Sequence, residues 1–246
     1  EKDDVNPTTS GESAKKAHGN LNDAIMVYPE GPEFDTQNLM DAFQEAKENG
    51  PGKTIMLAEG HFYLDEMEII EFEGTLRGAG MNKTIIHPLP DGINISDTCP
   101  FGTNKAPFFI TFYGGDITVS DMSFEILVDN PTKPTEIFTG DITTFIAGVI
   151  VVQGKSLEEY NADACFKNLS FKGKYVDLFE FTPYNVDNFI IFGTGPPMIP
   201  FGGNLVIQNC YFEEAEQGML FLGNSYTNLT IGGSPGKGNH FKDLQV

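Results

Sequence analysis

The chain has no tryptophan and a single arginine, Arg77, among its 246 residues. Basic side chains are scarce throughout: 15 Lys and Arg stand against 35 Asp and Glu, for a formal net charge of −20. Such a surface repels phosphate backbones and anionic lipid headgroups, which sets nucleic acid aside as a partner. Anionic polysaccharide is disfavoured as well, unless calcium or a local basic patch intervenes. The plainest role for the acidity is to keep an exported protein soluble. Cysteine is nearly absent. Cys99, Cys165 and Cys210 form no CxxC or CxxxC pair, so no zinc framework is present, and an odd number argues against a disulfide framework. Cys165 and Cys210 fall in strand-like segments, where a small buried hydrophobe is the default reading. No run of about 20 apolar residues occurs, so no segment reads as a membrane-spanning helix. No signal-peptide pattern opens the chain, which reads as mature or trimmed.

What is abundant is glycine, with 27 residues, and phenylalanine, with 21. Together with 40% hydrophobic and 20% charged residues, that mix suits an ordered protein of short strands and tight turns. Residues 1–27 are the exception. They are polar and offer almost nothing to a core, so they read as a flexible tether ahead of one domain over 28–246. The opening Glu1-Lys2-Asp3-Asp4 resembles the start of mature Gram-negative surface lipoproteins, in which a lipidated Cys precedes a short acidic stretch. That Cys would sit just before Glu1. The resemblance implies an outer-surface or extracellular protein with a lipid anchor lost from its N-terminus; the alternative is an ordinary solvated tail.

From Phe34-Asp35-Thr36-Gln37 to about Asn49 the periodicity predicts a helix. Asp35 or Thr36 is its expected N-cap, and Leu39, Met40, Phe43 and Ala46 are its apolar stripe. Gly50-Pro51-Gly52 stops it. The period then changes to two. Strands are expected at Thr54–Ala58, His61–Leu64, Met67–Phe72 and Thr84–Pro88, separated by Gly-rich turns.

A repeat decides how these strands are arranged. Ile117–Phe124, Ala164–Phe171 and Leu205–Phe212 share one template: apolar, any, apolar, any, Asn or Asp, apolar, any, Phe. A fourth copy runs from Leu229-Thr230-Ile231 to Phe241 through a glycine-rich insertion. Successive copies are offset by 47, 41 and 24 residues, which fits two, two and one coils of a solenoid, with intervening coils at Phe145–Val152 and Asn185–Phe192. The Asx position bends the chain, because Asn tolerates left-handed φ. Stacked coils would align Asn168 with Asn209 as an amide ladder and would stack Phe124, Phe171 and Phe212 inside. The expected fold is all-β: a right-handed single-stranded parallel β-helix with an N-terminal amphipathic capping helix at about 35–49 and coils over about 54–246. No cap is visible at the C-terminal end.

The stretch from Phe34 to Pro88, with "TIMLAEGHFYL" and "GTLRGAGMNKTIIHP" after the helix, resembles the N-terminal module of the pectin lyase-like superfamily. In that superfamily the helix covers the open end of the solenoid and protects its strand edges. The resemblance extends over about residues 34–246 and implies a polysaccharide-directed protein. Its lyases hold calcium with aspartates and use an arginine base. Here Arg77 lies in the turn where the family has a structural loop, which leaves Lys172 and Lys174 as the nearest alternative bases. Its hydrolases use closely placed aspartates. The only Asp-Asp here is Asp3-Asp4 in the tail, and the Gly-His-Gly and Arg-x-Lys elements are missing. No catalytic residue is therefore assigned. His18, His61, His87 and His240 lie in separate segments without ligand spacing and read as surface or turn histidines. Gly232–Gly238 lacks the GKS or GKT of a phosphate loop, and no helix follows it.

Aligning Asp177–Phe181 with Gly218–Leu222 and applying strand alternation places Phe179, Phe181, Leu220 and Leu222 on one face. If that face is interior, Leu178, Glu180, Met219 and Phe221 point outward, with Tyr184 and Tyr226 in the following turns. Acid beside exposed rings suits sugar recognition, so Glu180, Tyr184, Phe221 and Tyr226 are the candidate substrate-binding residues. A one-residue slip would swap the faces. No cofactor is expected, although Glu213-Glu214-Ala215-Glu216 could hold calcium through oxygen ligands; a solvated turn is the plainer reading. The function expected is polysaccharide binding or processing on an exported protein. The alternative is a non-enzymatic structural or adhesion rod, since one fold carries many functions.

Overall fold

The computed structural model describes residues 18–21, 24–94, 107–127, 142–154, 163–176, 185–193, 203–221, 228–233 and 238–244. Among these residues the protein is all-β with one helix, and its sheets are built almost wholly from parallel strands. Among the described residues only two pairings are antiparallel: His18–Leu21 with Ala24–Val27, and Ile93–Asn94 with Ile142–Thr143.

Strands distant in sequence pair in parallel, and each copy of the repeat lies on the one before it. Ile117–Glu125 pairs with Ala164–Lys172 from Ile117↔Ala164 through Phe124↔Phe171. Ala164–Lys172 in turn carries Asn204–Gln208 and Tyr211–Ala215, which carry Asn228–Ile231 and His240–Leu244. This twelve-stranded sheet folds at the Asx position into two faces. The first runs from Ala24–Val27 through Lys53–Leu57 and Gly74–Arg77 to Asn228–Ile231. The second contains Gly60–Leu64, Thr84–Pro88, the C-terminal halves of the long strands, Tyr211–Ala215 and His240–Leu244. A separate five-stranded parallel sheet stacks Met67–Ile70, Phe108–Tyr113, Ile146–Gln153, Val186–Phe192 and Gln217–Phe221.

The core lies between these faces as columns of like residues. Ile55, Leu76, Val119, Phe166 and Ile207 follow one another rung by rung, all buried. Phe124, Phe171, Phe212 and Phe241 form a continuous ring stack with centroids 5.0, 5.3 and 5.0 Å apart. The expected interior aromatic stack is therefore present, one ring longer than anticipated. Its last ring, Phe241, is 50% exposed, as are Leu229 and Ile231 at 45% each on the same last rungs.

The bend is a backbone requirement met by side-chain chemistry. Asp121, Asn168 and Asn209 have φ of 59°, 53° and 52°, the left-handed region that Asn and Asp tolerate best. Their side chains form the expected ladder: Asn209 Nδ2 donates to Asn168 Oδ1, and Asn168 Nδ2 donates to Asp121 Oδ1, each at 2.8 Å. Arg77 closes the ladder, its Nε donating to Asp121 Oδ2 at 2.9 Å. Glycine is needed on the rung below. A Cβ at Gly78 would lie 2.3 Å from the Asp121 carbonyl oxygen.

The helix spans Asp35–Glu48 and packs Leu39, Ala42, Phe43 and Ala46 into the core, with Phe43 edge-on to Phe72 at 4.9 Å. Its capping differs from expectation. Phe34 is the N-cap, with no side-chain cap bond. Asp35, fully buried, instead accepts N–H bonds from Glu30, Gly31 and Tyr63. Thr36 accepts one from Asp65. These oxygens join the helix to neighbouring backbone, and for a buried carboxylate three charge-assisted bonds offset the loss of water.

Candidate functional site

Of the four residues expected to bind substrate, Glu180, Tyr184 and Tyr226 lie outside the described residues. Phe221 is described, and its orientation corrects the expectation. It pairs in register with Phe192, stacks on that buried ring at 5.7 Å and packs against the core. Met219, also expected outward, pairs with the core residue Ile190 and packs on the core as well. The faces of this strand are swapped by one residue relative to the alternation read from sequence. The opposite column of the same sheet, Thr111, Val151 and Ile191, is buried too. The five-stranded sheet therefore presents no open aromatic platform along these residues.

An open groove lies instead on the outer side of the first face. It has a volume of about 230 Å³ and is lined by Asp116, Ile117, Thr118, Asp163, Ala164, Cys165, Asn204 and Val206. Register explains it. Thr118, Cys165 and Val206 are consecutive outward residues of one column and make a floor of small side chains. Asp116, Asp163, Asn204 and Asn228 form a rail at the strand starts. Asp163 accepts the backbone N–H of Asn204 at 2.6 Å and its side-chain N–H at 2.8 Å. Asn228 Nδ2 donates to Asn204 Oδ1 at 2.7 Å, and Asp163 N–H donates to Asp116 Oδ1 at 3.3 Å. The rail thus repeats a carboxylate or amide at every rung, each bonded to the next, along the direction in which the rungs stack.

A carboxylate pair lies where Val186–Phe192 meets Gln217–Phe221. Asn188 and Gln217 are in register, so Asp187 and Glu216 sit side by side on neighbouring strands. Burial, and secondarily the Glu216 charge, push the Asp187 carboxyl up to about 6. Burial also raises Glu216, whose Oε2 is enclosed without a hydrogen-bond partner. From sequence, Glu216 reads as part of an acidic run that is either a solvated turn or a calcium holder, with no sign of Asp187 beside it. The signal missed was the register that places it beside Asp187. Carboxylic acids tuned toward neutrality are chemically suited to proton transfer.

The remaining members of that acidic run separate. Glu213 pairs with Lys242 and lies 3.9 Å from Lys172, and the Lys242 bond holds its carboxyl below the usual carboxylate range. Lys172 is thereby drawn into an ion pair, and Arg77 is occupied in the bend ladder. Among the described residues no three His, Cys, Asp or Glu side chains converge as a metal cage. Two histidines do meet: His61 Nδ1 lies 2.9 Å from His87 Nε2, although sequence spacing gave no sign of it. On the same face Tyr211 stacks on His240 at 4.5 Å, ring on ring. Cys165 and Cys210 are both free thiols; Cys210 is buried, which pushes it up to about 12, while Cys165 is partly open on the groove floor. No helix among the described residues is long and apolar enough to cross a membrane.

No protein-family model matches the chain, and no characterised protein matches it in sequence.

Proposed function

We propose that these stacked sheets are the walls of one right-handed parallel β-helix of the pectin lyase-like kind, capped by the helix at Asp35–Glu48. We read it as the binding domain of an exported, surface-anchored protein of a Gram-negative bacterium, and its ligand as a polysaccharide. The observation that carries this reading is the groove beside the Asp116–Asp163–Asn204 rail. A row of carboxylate and amide groups repeating along the rod suits a linear polymer that presents hydroxyls at regular intervals. The rail is acidic and the chain carries −20, so a neutral glycan fits better than an anionic one. The small floor residues leave room for a chain to lie along the surface. Glu180, Tyr184 and Tyr226 remain proposed contributors, while Phe221 is removed from the set by its packing on Phe192.

A structural or adhesion rod is the second reading. The unbroken Arg77–Asp121–Asn168–Asn209 ladder favours it, because the same bonds that shape each bend also stiffen the long axis.

The test is a panel of neutral and acidic glycans presented to the whole chain, with and without calcium, read for binding and for ultraviolet absorbance of unsaturated lyase products. Binding to a neutral glycan supports the reading. Absorbance growth would add lyase chemistry, and silence across the panel would leave the rod.

A further inference from the structure

Thr54, Thr75, Thr118, Cys165, Val206 and Thr230 pair directly from rung to rung along the first face. Their strand neighbours Ile55, Leu76, Val119, Phe166 and Ile207 fill the core, so alternation turns these six outward. The groove floor at Thr118, Cys165 and Val206 is therefore the middle of a longer file. Six rungs about 4.8 Å apart make that file about 24 Å long, in unbroken register and parallel to the stacking direction.

The file is flanked on both sides. On one side Glu73 extends the rail beyond Asp116: the Gly52 N–H donates to the Glu73 carbonyl as the Gly74 N–H donates to that of Asp116, and both acids are exposed. On the other side the longer side chains of Met56, Arg77, Lys167 and Gln208 stand two residues further along the same strands. Arg77 is fixed there by its bond to Asp121. Between these flanks every floor residue is small, and four of the six are threonines. Among the described residues no protein group bonds the threonine hydroxyls. Each can therefore donate to and accept from a ligand, while its methyl meets an apolar C–H face. No floor residue is aromatic, so no single sugar is held by ring stacking and affinity has to accumulate over successive rungs.

We propose that this file takes a linear, neutral, β-1,4-linked glycan of about five or six sugars, one to a rung, with its hydroxyls on Thr54, Thr75, Thr118 and Thr230. The proposal rests on the reading of the groove as a glycan site and adds the ligand's length, its linkage and the threonines that read it. A β-1,4 chain of pyranoses is an extended ribbon that advances by about one rung spacing per sugar, so successive sugars meet successive rungs. An α-1,4 chain curls and leaves a straight file.

The test is calorimetric titration of the whole chain with cellotriose, cellohexaose, β-1,4-mannohexaose and maltohexaose. At least one β-1,4 hexaose should bind roughly tenfold or more tighter than cellotriose, because three further rungs each add a hydrogen bond. Maltohexaose should bind no tighter than cellotriose. Thr75→Trp blocks the file one rung short of the groove, and should bring the hexaose down to the affinity of the triose while leaving the triose unchanged. Thr75→Val keeps the shape and removes only the hydroxyl, and should weaken the hexaose a few-fold; circular dichroism confirms that both variants fold. Equal affinity for triose and hexaose, equal binding of maltohexaose, or a hexaose untouched by Thr75→Trp while Cys165→Trp still blocks it would overturn the file and leave the groove reading standing. Full binding by Cys165→Trp, or silence from every oligosaccharide, would overturn both.

Discussion

Asn168 donates its side-chain amide to Oδ1 of Asp121, 2.8 Å away and 47 positions earlier in the chain. The same residue accepts from Asn209 and holds a left-handed backbone, so it serves the bend twice. Asn168→Ala would place a Cβ-bearing residue without an amide at φ 53° and leave its neighbours short of a partner. The expected loss is roughly 2–4 kcal/mol, from strain plus two unmade bonds. Asn168→Gly restores the backbone but not the ladder and should recover about 1 kcal/mol of that loss. Urea denaturation of the three proteins separates the contributions. Equal stability of the alanine and glycine variants would show that the backbone requirement is not what the residue satisfies.

Phe171 occupies the middle of the ring stack, between Phe124 and Phe212, and is fully buried. Phe171→Ala should cost about 3–5 kcal/mol through lost burial and an unfilled cavity. Phe171→Leu keeps most of the volume and forfeits the stacking, so a loss of roughly 1–2 kcal/mol is expected. A leucine variant as unstable as the alanine variant would mean that ring geometry, not volume, dominates this core. Thermal unfolding monitored by calorimetry measures both.

These two sites were legible because they repeat. An Asx followed three residues later by Phe, on the same template three times, marks both the bend and the stack in the sequence itself. Strand faces were harder. On Gln217–Phe221 both parities contain apolar side chains, with Met219 and Phe221 on one and Leu220 on the other. Alternation therefore had no contrast to read, and Phe221 was turned the wrong way. The helix is legible to within a residue, yet neither Asp35 nor Thr36 is its cap, because their oxygens accept from the distant N–H groups of Tyr63 and Asp65, 28 and 29 positions away. Asp187 beside Glu216, and His61 beside His87, are products of register between distant rungs. Composition and local spacing carry no trace of such pairs.

The groove can be blocked without touching the core. Cys165 stands on its floor between Thr118 and Val206, facing out. Cys165→Trp should fill it and abolish glycan binding while leaving the unfolding midpoint within a few degrees of wild type. Asp163→Ala should weaken binding as well, but it also removes acceptors for two N–H groups of Asn204, and so should cost about 1–3 kcal/mol of stability. Full binding by the tryptophan variant would move the ligand off this face.

Asp187 sets the pH dependence that follows from the carboxylate pair. Its carboxyl is raised from 3.8 to about 6, first by burial and second by Glu216. Between those values the native state binds more protons than the unfolded chain, so stability falls as pH rises through that window. Below pH 4 the term vanishes, because both states are protonated. Above pH 6 the full penalty of a buried charge is present. Asp187→Asn removes it and should stabilise the protein at pH 7.5 by about 1–2 kcal/mol, less than the raw shift implies because the group is partly exposed and screened. At pH 4 the variant and wild type should be close to equal. Glu216→Gln should act in the same direction and bring the Asp187 carboxyl down, since it removes the neighbouring charge. Chemical denaturation of the three proteins at both pH values provides the check. A variant no more stable than wild type at pH 7.5 would show that Asp187 keeps enough water, or finds a donor, to ionise without penalty.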